Sequence, residues 1–227
     1  MEKLNEKKKL SNYFLRSRII KDRLNLKAFE NVPREEFMPP NLREMAYSDR
    51  PFPLFSTGQT ISAPHMCILI LEYLNLESGF RVLEIGSGSG YQAALIAERL
   101  RLAKNSKKSV ISSKVWSIEI VPELASFAKE NIKRTGYDEI ITIIEGDGTL
   151  GLPEEATFDR IILTAAGPQV PPPLIEQLSP GGLLCMPLGC ARMWQEMILV
   201  SKDKNGELTQ KTLASVAFVP LRGKYGV

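Results

Sequence analysis

Histidine is almost missing from this chain: among 227 residues only His65 is one, which excludes a metal centre built from several histidines. Cysteine is scarce too. Cys67, Cys185 and Cys190 are odd in number and match no zinc spacing, so the sequence predicts no bound metal; at least two of them read as small buried apolar residues. Charge of one sign is not in excess, since 24% charged residues leave a net charge of only +3. A nucleic-acid groove needs a concentrated basic face, so no nucleic-acid partner is expected. No apolar run approaches the roughly 20 residues that span a bilayer, and the start lacks the apolar core of a secretory signal. No membrane association is expected, and the expected location is cytoplasmic. The Lys-rich opening over 2–9 also carries Glu2 and Glu6 and reads as a solvated, frayed start.

What the chain does have is 44% hydrophobic residues, enough for one sizeable core. Residues 1–75 are expected to form an N-terminal helical extension that includes a short hydroxyl-rich segment, and 76–227 a core integrated with it into one domain. Tyr13, Phe14, Ile19, Ile20, Leu24 and Phe29 recur at roughly helical spacing, and Pro-rich breaks come after them at 38–41 and 49–53. Beyond about residue 76 strands alternate with helices. Strands are predicted over 81–85, 115–119, 140–144, 159–163 and 182–187, with helices over 92–100, 122–135 and 173–178. Pro122 suits a first helical turn and Gly136 a helix end. Runs over 195–200 and 212–219 flank Asn205-Gly206, a hairpin signal. The sum is an α/β, doubly wound, mainly parallel sheet of about seven strands that ends in an antiparallel hairpin. Such sheets bind ligands beyond the carboxyl ends of their strands, at the switch point. The Lys/Ser-rich stretch over 104–113 reads as a surface insertion.

The first core strand runs into Glu84-Ile85-Gly86-Ser87-Gly88-Ser89-Gly90. Glycines between strand and helix let a backbone come close to a ligand. A dinucleotide site would read G-x-G-x-x-G; here the third glycine comes one residue early and an acid precedes the run. The pattern resembles the first motif of S-adenosylmethionine-dependent methyltransferases, whose fold is Rossmann-like. Cofactor contacts are expected from Glu84, Gly86, Ser87 and Gly88, from Glu119 at the end of the second core strand, and from Asp147-Gly148 after the third. Glu119 can accept from ribose hydroxyls, and the class places adenine contacts at Asp147-Gly148. A plainer alternative is that Glu119 and Asp147 only cap the helices after them.

Upstream lies Thr57-Gly58-Gln59-Thr60-Ile61-Ser62-Ala63-Pro64-His65-Met66. By residue type alone, Ser62 reads as an N-cap and Pro64 as the first turn of a helix reaching about Leu74. The string itself resembles the signature of the protein-L-isoaspartate O-methyltransferases. Ala46-Tyr47-Ser48-Asp49 before it matches the family, as do Gly90-Tyr91-Gln92-Ala93-Ala94, Glu145-Gly146-Asp147-Gly148-Thr149, Thr164-Ala165-Ala166 and Phe218-Val219-Pro220-Leu221-Arg222. The resemblance covers about residues 30–222. The chain departs from the family in a longer, more basic stretch over 102–114 and in Phe52-Pro53-Leu54-Phe55-Ser56, whose last two residues stand just before the signature.

The resemblance implies methyl transfer from S-adenosyl-L-methionine, leaving S-adenosyl-L-homocysteine, to the free α-carboxylate of isoaspartyl residues in damaged proteins. It assigns the catalytic role to Ser62, with Gln59, Thr60 and Ile61 at the junction of donor and acceptor, and Val219 to Arg222 closing over the cofactor. The chemistry agrees. A carboxylate with a pKa near 3.9 is already a nucleophile at neutral pH, so no general base is required. The sequence offers no His–Asp pair to be one, and His65 is expected to be structural or a neighbour of the cofactor. The partners expected are isoaspartyl proteins and peptides, and the working unit a monomer. Rivals are a methyltransferase for another acceptor and a non-catalytic relic of the same fold.

Overall fold

Helices α1 (Glu2–Arg16) and α2 (Arg23–Asn31) open the chain in the computed structural model, which describes residues 2–103, 113–190 and 194–227. The opening is more tightly held than its composition predicts. Lys7 is buried, donates to the Val32 carbonyl at 2.9 Å and lies over the rings of Phe29 and Tyr47. Asp22 caps α2 by accepting from the Leu24 N–H. Two 3₁₀ turns come next, Arg34–Phe37 and Pro40–Met45, where prolines interrupt helical geometry.

Beyond them lies a hairpin that the sequence did not announce. Strands β1 (Phe52–Leu54) and β2 (Gln59–Ile61) pair antiparallel, with Phe52 opposite Ile61. Three residues per strand are too few for an alternation to stand out. The hairpin leads into α3 (Pro64–Leu74), whose cap is Ala63, not Ser62. Asp49 serves instead: its Oδ1 accepts from the His65 N–H at 2.9 Å.

The core then alternates β3 (Arg81–Ile85), α4 (Tyr91–Leu102), β4 (Lys114–Glu119), α5 (Pro122–Arg134), β5 (Ile141–Glu145), β6 (Phe158–Leu163), α6 (Pro172–Glu176), β7 (Leu178–Leu188), β8 (Gln195–Lys202) and β9 (Leu208–Val216). The seven strands β3 to β9 lie in the order 5-4-3-6-7-8-9, parallel from β5 through β7 and antiparallel from β7 through β9. The chain winds outward from β3 to β5, then restarts at β6 on the other side of β3, which sets the switch point.

The last strand starts four residues earlier than its pattern predicts and ends three earlier. Lys202 pairs with Leu208 directly across the Asn205-Gly206 turn. The Phe218 N–H is taken by the Gln195 side chain, so pairing stops at Val216 and the tail is free to cross elsewhere. Gly136 has the positive φ expected after α5. The predicted insertion lies almost wholly outside the described residues.

Apolar side chains of α1, α2, α3 and α4 form one buried cluster that includes the fully buried Phe14, Phe29, Leu71 and Ile96. A second cluster, around Trp116, Phe158 and Leu184, fills the other face of the sheet. Cys67 and Cys185 are buried and all three cysteines are unpaired. Among the described residues, no helix is long and apolar enough to cross a membrane and no group of three metal-binding side chains occurs.

Candidate active site

A cleft of about 770 Å³, counting the space at its mouth, opens beyond the carboxyl ends of β3 and β4. It lies at the place where a switch point puts a ligand site. Its floor is the glycine turn. Gly86 has φ +96°, and a Cβ there would meet Thr164 Oγ1 at 2.5 Å. The Thr164 hydroxyl occupies that space and donates to the Gly86 carbonyl at 2.7 Å. Gly90 closes the turn by donating to the Ser87 carbonyl at 2.7 Å.

Glu119 lines the cleft. One of its oxygens accepts from the Gly88 N–H at 2.8 Å and the other from the Val121 N–H at 3.0 Å. The carboxylate thus both pins the glycine turn and caps the approach to α5. Each oxygen retains a lone-pair site for a ligand hydroxyl. Gly148 forms another part of the wall; a Cβ there would lie 2.6 Å from Ile85 Cγ2.

The hairpin brings Gln59, Thr60 and Ile61 of β2, and Ser62 after them, to the same cleft. Since Ala63 stands at the N-cap of α3, the Ser62 hydroxyl is not committed to capping. The tail supplies the roof. Ala166 donates to the Val219 carbonyl and accepts from the Leu221 N–H, both at 2.8 Å, and Arg222 reaches the Thr57 carbonyl at 3.4 Å.

Two expected contact residues are not part of the cleft lining. Glu84 is fully buried within β3, in register with Ser117 of β4, whose hydroxyl bonds to it. Ser117 in turn meets the Ser87 hydroxyl at 2.6 Å, so Glu84 reaches the cleft only through two serines. Burial pushes the Glu84 carboxyl up to about 8, against the Ser117 hydrogen bond and with help from the nearby Glu119 charge. Asp147 turns to the tail instead: it accepts from Thr149 N–H at 2.9 Å and from Lys224 N–H at 2.8 Å. Burial alone would raise its carboxyl, but the bonds from Thr149 and Lys224 hold it below the usual aspartate range.

A His–Asp pair, unexpected from the sequence, does exist. His65 Nδ1 lies 2.9 Å from Asp49 Oδ1, the atom that caps α3. The bonds from His65 outweigh burial and hold the Asp49 carboxyl low. His65 is 37% exposed at its side chain and is not part of the cleft lining, which fits a structural task.

Sequence reasoning overlooked Tyr91, Gln92, Cys67 and Thr164, all in the cleft wall. Thr164 was within reach, because it is the first residue after β6 at the switch point. Tyr91 and Cys67 are brought in by the packing of α3 and α4, for which no sequence spacing gives a sign.

The sheet order, the glycine turn and the acid ending β4 define the class: a Rossmann-like methyltransferase. Likeness to known proteins narrows it. The family model for protein-L-isoaspartate(D-aspartate) O-methyltransferase matches residues 5–226. A protein-L-isoaspartate O-methyltransferase of Staphylothermus marinus is 47% identical over 222 residues, covering 98% of this chain and 96% of its own. One from Methanopyrus kandleri is 44% identical over 225 residues, covering 99% and 92%. A crystal structure from Plasmodium falciparum, described as such an enzyme in complex with S-adenosyl-L-homocysteine, superposes with a TM-score of 0.81 at 31% identity, covering 95% of this chain and 97% of its own. The chain belongs to the protein-L-isoaspartate(D-aspartate) O-methyltransferase family.

Proposed function

We propose that this protein transfers a methyl group from S-adenosyl-L-methionine to the free α-carboxylate of isoaspartyl residues in damaged proteins. The observation that carries the reading is the convergence of Ser62, delivered by the β2 hairpin, with Glu119 and the glycine turn on one cleft. When bound, the cofactor supplies an electrophilic methyl on a sulfonium. The chain's residues fit it: glycines with no room for a Cβ, a carboxylate with free acceptor capacity, and no lysine among the cleft residues to favour phosphate.

In this reading Glu119 accepts from ribose hydroxyls, and Gly86, Ser87 and Gly88 lie against the amino-acid arm. Gly148 faces the adenine, Gln59, Thr60 and Ile61 flank the junction, and Arg222 closes the cleft. Glu84 supports Ser87 from behind, and Asp147 holds the tail. Ser62 donates its hydroxyl to one oxygen of the acceptor carboxylate and leaves the other free to attack. It orients and is not itself modified. The acceptor is an anion at neutral pH, so the remaining work is alignment and exclusion of water. An isoaspartyl backbone runs through the side-chain carbon, and recognition therefore depends on how the peptide lies. Among the described strands β2 pairs only with β1, which supports main-chain pairing of an extended acceptor along its other edge. The methyl ester formed is activated: the neighbouring backbone amide nitrogen attacks it, methanol leaves, and a succinimide closes unaided, whose hydrolysis returns some normal aspartate.

We place the protein in the cytosol on the same proposal, since its cysteines are unpaired. The working unit is a monomer. The test is transfer of labelled methyl to paired peptides with isoaspartate or aspartate at one position, with Ser62→Ala run beside the wild type. Losing a hydrogen bond to a charged group predicts a fall of about 10- to 100-fold in kcat/KM. Base-labile label on the isoaspartyl peptide alone, reduced in the variant, supports the reading. Equal label on both peptides, or an unaffected variant, sinks it.

A further inference from the structure

Arg34 is fully buried, and among the described residues none of its three guanidinium nitrogens has a hydrogen-bond acceptor. An enclosed cation with no anion bonded to it is strongly unfavourable, because its lost hydration is not made good. Its place is set by the 3₁₀ turn Arg34–Phe37, which lays Phe37 against Tyr91 at 5.6 Å between ring centroids. The guanidinium sits over the same Tyr91 ring, 4.9 Å from its centroid. Tyr91 is 1% exposed, it lines the cleft, and its hydroxyl also lacks a partner. The next residue, Gln92, lines the cleft as well and has both amide atoms unpartnered.

The positive charge reaches the end of the cleft where Ser62 stands. Cys67, another wall residue, approaches the Ser62 carbonyl with its sulfur at 3.8 Å. Burial pushes the Cys67 thiol up to about 11, and the Arg34 charge pulls against that rise. The same guanidinium helps to keep the Asp49 carboxyl low. One wall of the cleft therefore combines a cation with no anion bonded to it and, among the described residues, an unpartnered phenol and amide.

We infer that this wall receives a ligand carboxylate, with the Tyr91 hydroxyl as its donor and Arg34 as the positioning residue that acts through the Tyr91 ring. The inference rests on the proposed reaction, which brings two carboxylates to the cleft: that of the isoaspartyl acceptor and that of the cofactor's amino-acid arm. Proximity to Ser62 favours the acceptor.

The experiment compares the wild type with R34M, R34K and Y91F. It measures the thermal midpoint without ligand, the Kd for S-adenosyl-L-homocysteine, and KM and kcat for an isoaspartyl peptide. Methionine fills the arginine site without a charge, so the ligand-free midpoint of R34M is expected to hold or rise. One constant is expected to worsen about tenfold in R34M and Y91F and less in R34K. A higher peptide KM with unchanged Kd assigns the acceptor carboxylate; a higher Kd assigns the cofactor's. If the midpoint of R34M falls while both constants stay within twofold, Arg34 is merely structural and the inference is overturned. Where R34M is too unstable to measure, Y91F decides, because it keeps the guanidinium and its packing: unchanged constants there also overturn it. A wild type that binds S-adenosyl-L-homocysteine but methylates no isoaspartyl peptide refutes the proposed reaction instead, and the Kd arm still tests the wall.

Discussion

At Glu84 burial and charge are in conflict, and the conflict has a sign. The folded carboxyl is pushed up to about 8 from an ordinary 4.5. Between those values the folded protein holds a proton that the unfolded chain has released, so stability falls as pH rises through that window and levels off above it. Glu84→Gln removes the titration and keeps a side chain that can bond to Ser117. The wild-type midpoint is expected to drop from pH 5 to pH 8 relative to that of the variant, as thermal unfolding at a series of pH values would show. Parallel profiles would contradict the buried, proton-holding state of Glu84. Ser62 illustrates the opposite case: what matters there is a hydroxyl left uncommitted, because Asp49 already caps α3.

At the scale of elements, two short pieces bring the site together: the β1–β2 hairpin and the C-terminal tail. The tail is held at Asp147, which takes the Lys224 N–H, and the fit is tight at Gly223. Its φ is +122°, and a Cβ would fall 2.1 Å from Asp147 Oδ1. Gly223→Ala therefore pries the tail from its anchor and strains the backbone as well. The core is untouched, so the predicted effect is a loss of about tenfold in S-adenosyl-L-homocysteine affinity. Calorimetric titration measures it, and an unaltered Kd would show that the tail does not close the site. The hairpin was invisible as a hairpin because its strands have three residues each. Its contents were legible only because the string Gln59-Thr60-Ile61-Ser62 resembles a family signature.

Over the whole molecule, the N-terminal helices and the sheet share one buried cluster, in which Phe14, Phe29 and Tyr47 meet edge to face. Arg99 of α4 ties the same region down, bonding Asn25 at 2.9 Å and Asp22 at 2.7 Å. We therefore propose that residues 1–75 and 76–227 unfold together. Phe29→Ala removes a fully buried ring and should cost about 3–5 kcal/mol. Differential scanning calorimetry should show one transition, moved to lower temperature as a unit. Two transitions, with only one of them moved, would falsify the integrated domain.

The sequence by itself determined the order of core strands and helices, the parallel sheet with its antiparallel end, and the glycine turn with Glu119. These are local or periodic signals, written in consecutive residues. Only the tertiary structure decided which polar groups face the cleft. Glu84 and Asp147 stand in the expected motifs yet turn away, because partners distant in sequence, Ser117 and Lys224, capture their carboxylates. His65 meets Asp49, and Arg34 comes to rest behind Tyr91, through contacts 16 and 57 positions apart in the numbering. Packing brings such pairs together, and no periodicity within either segment encodes the meeting.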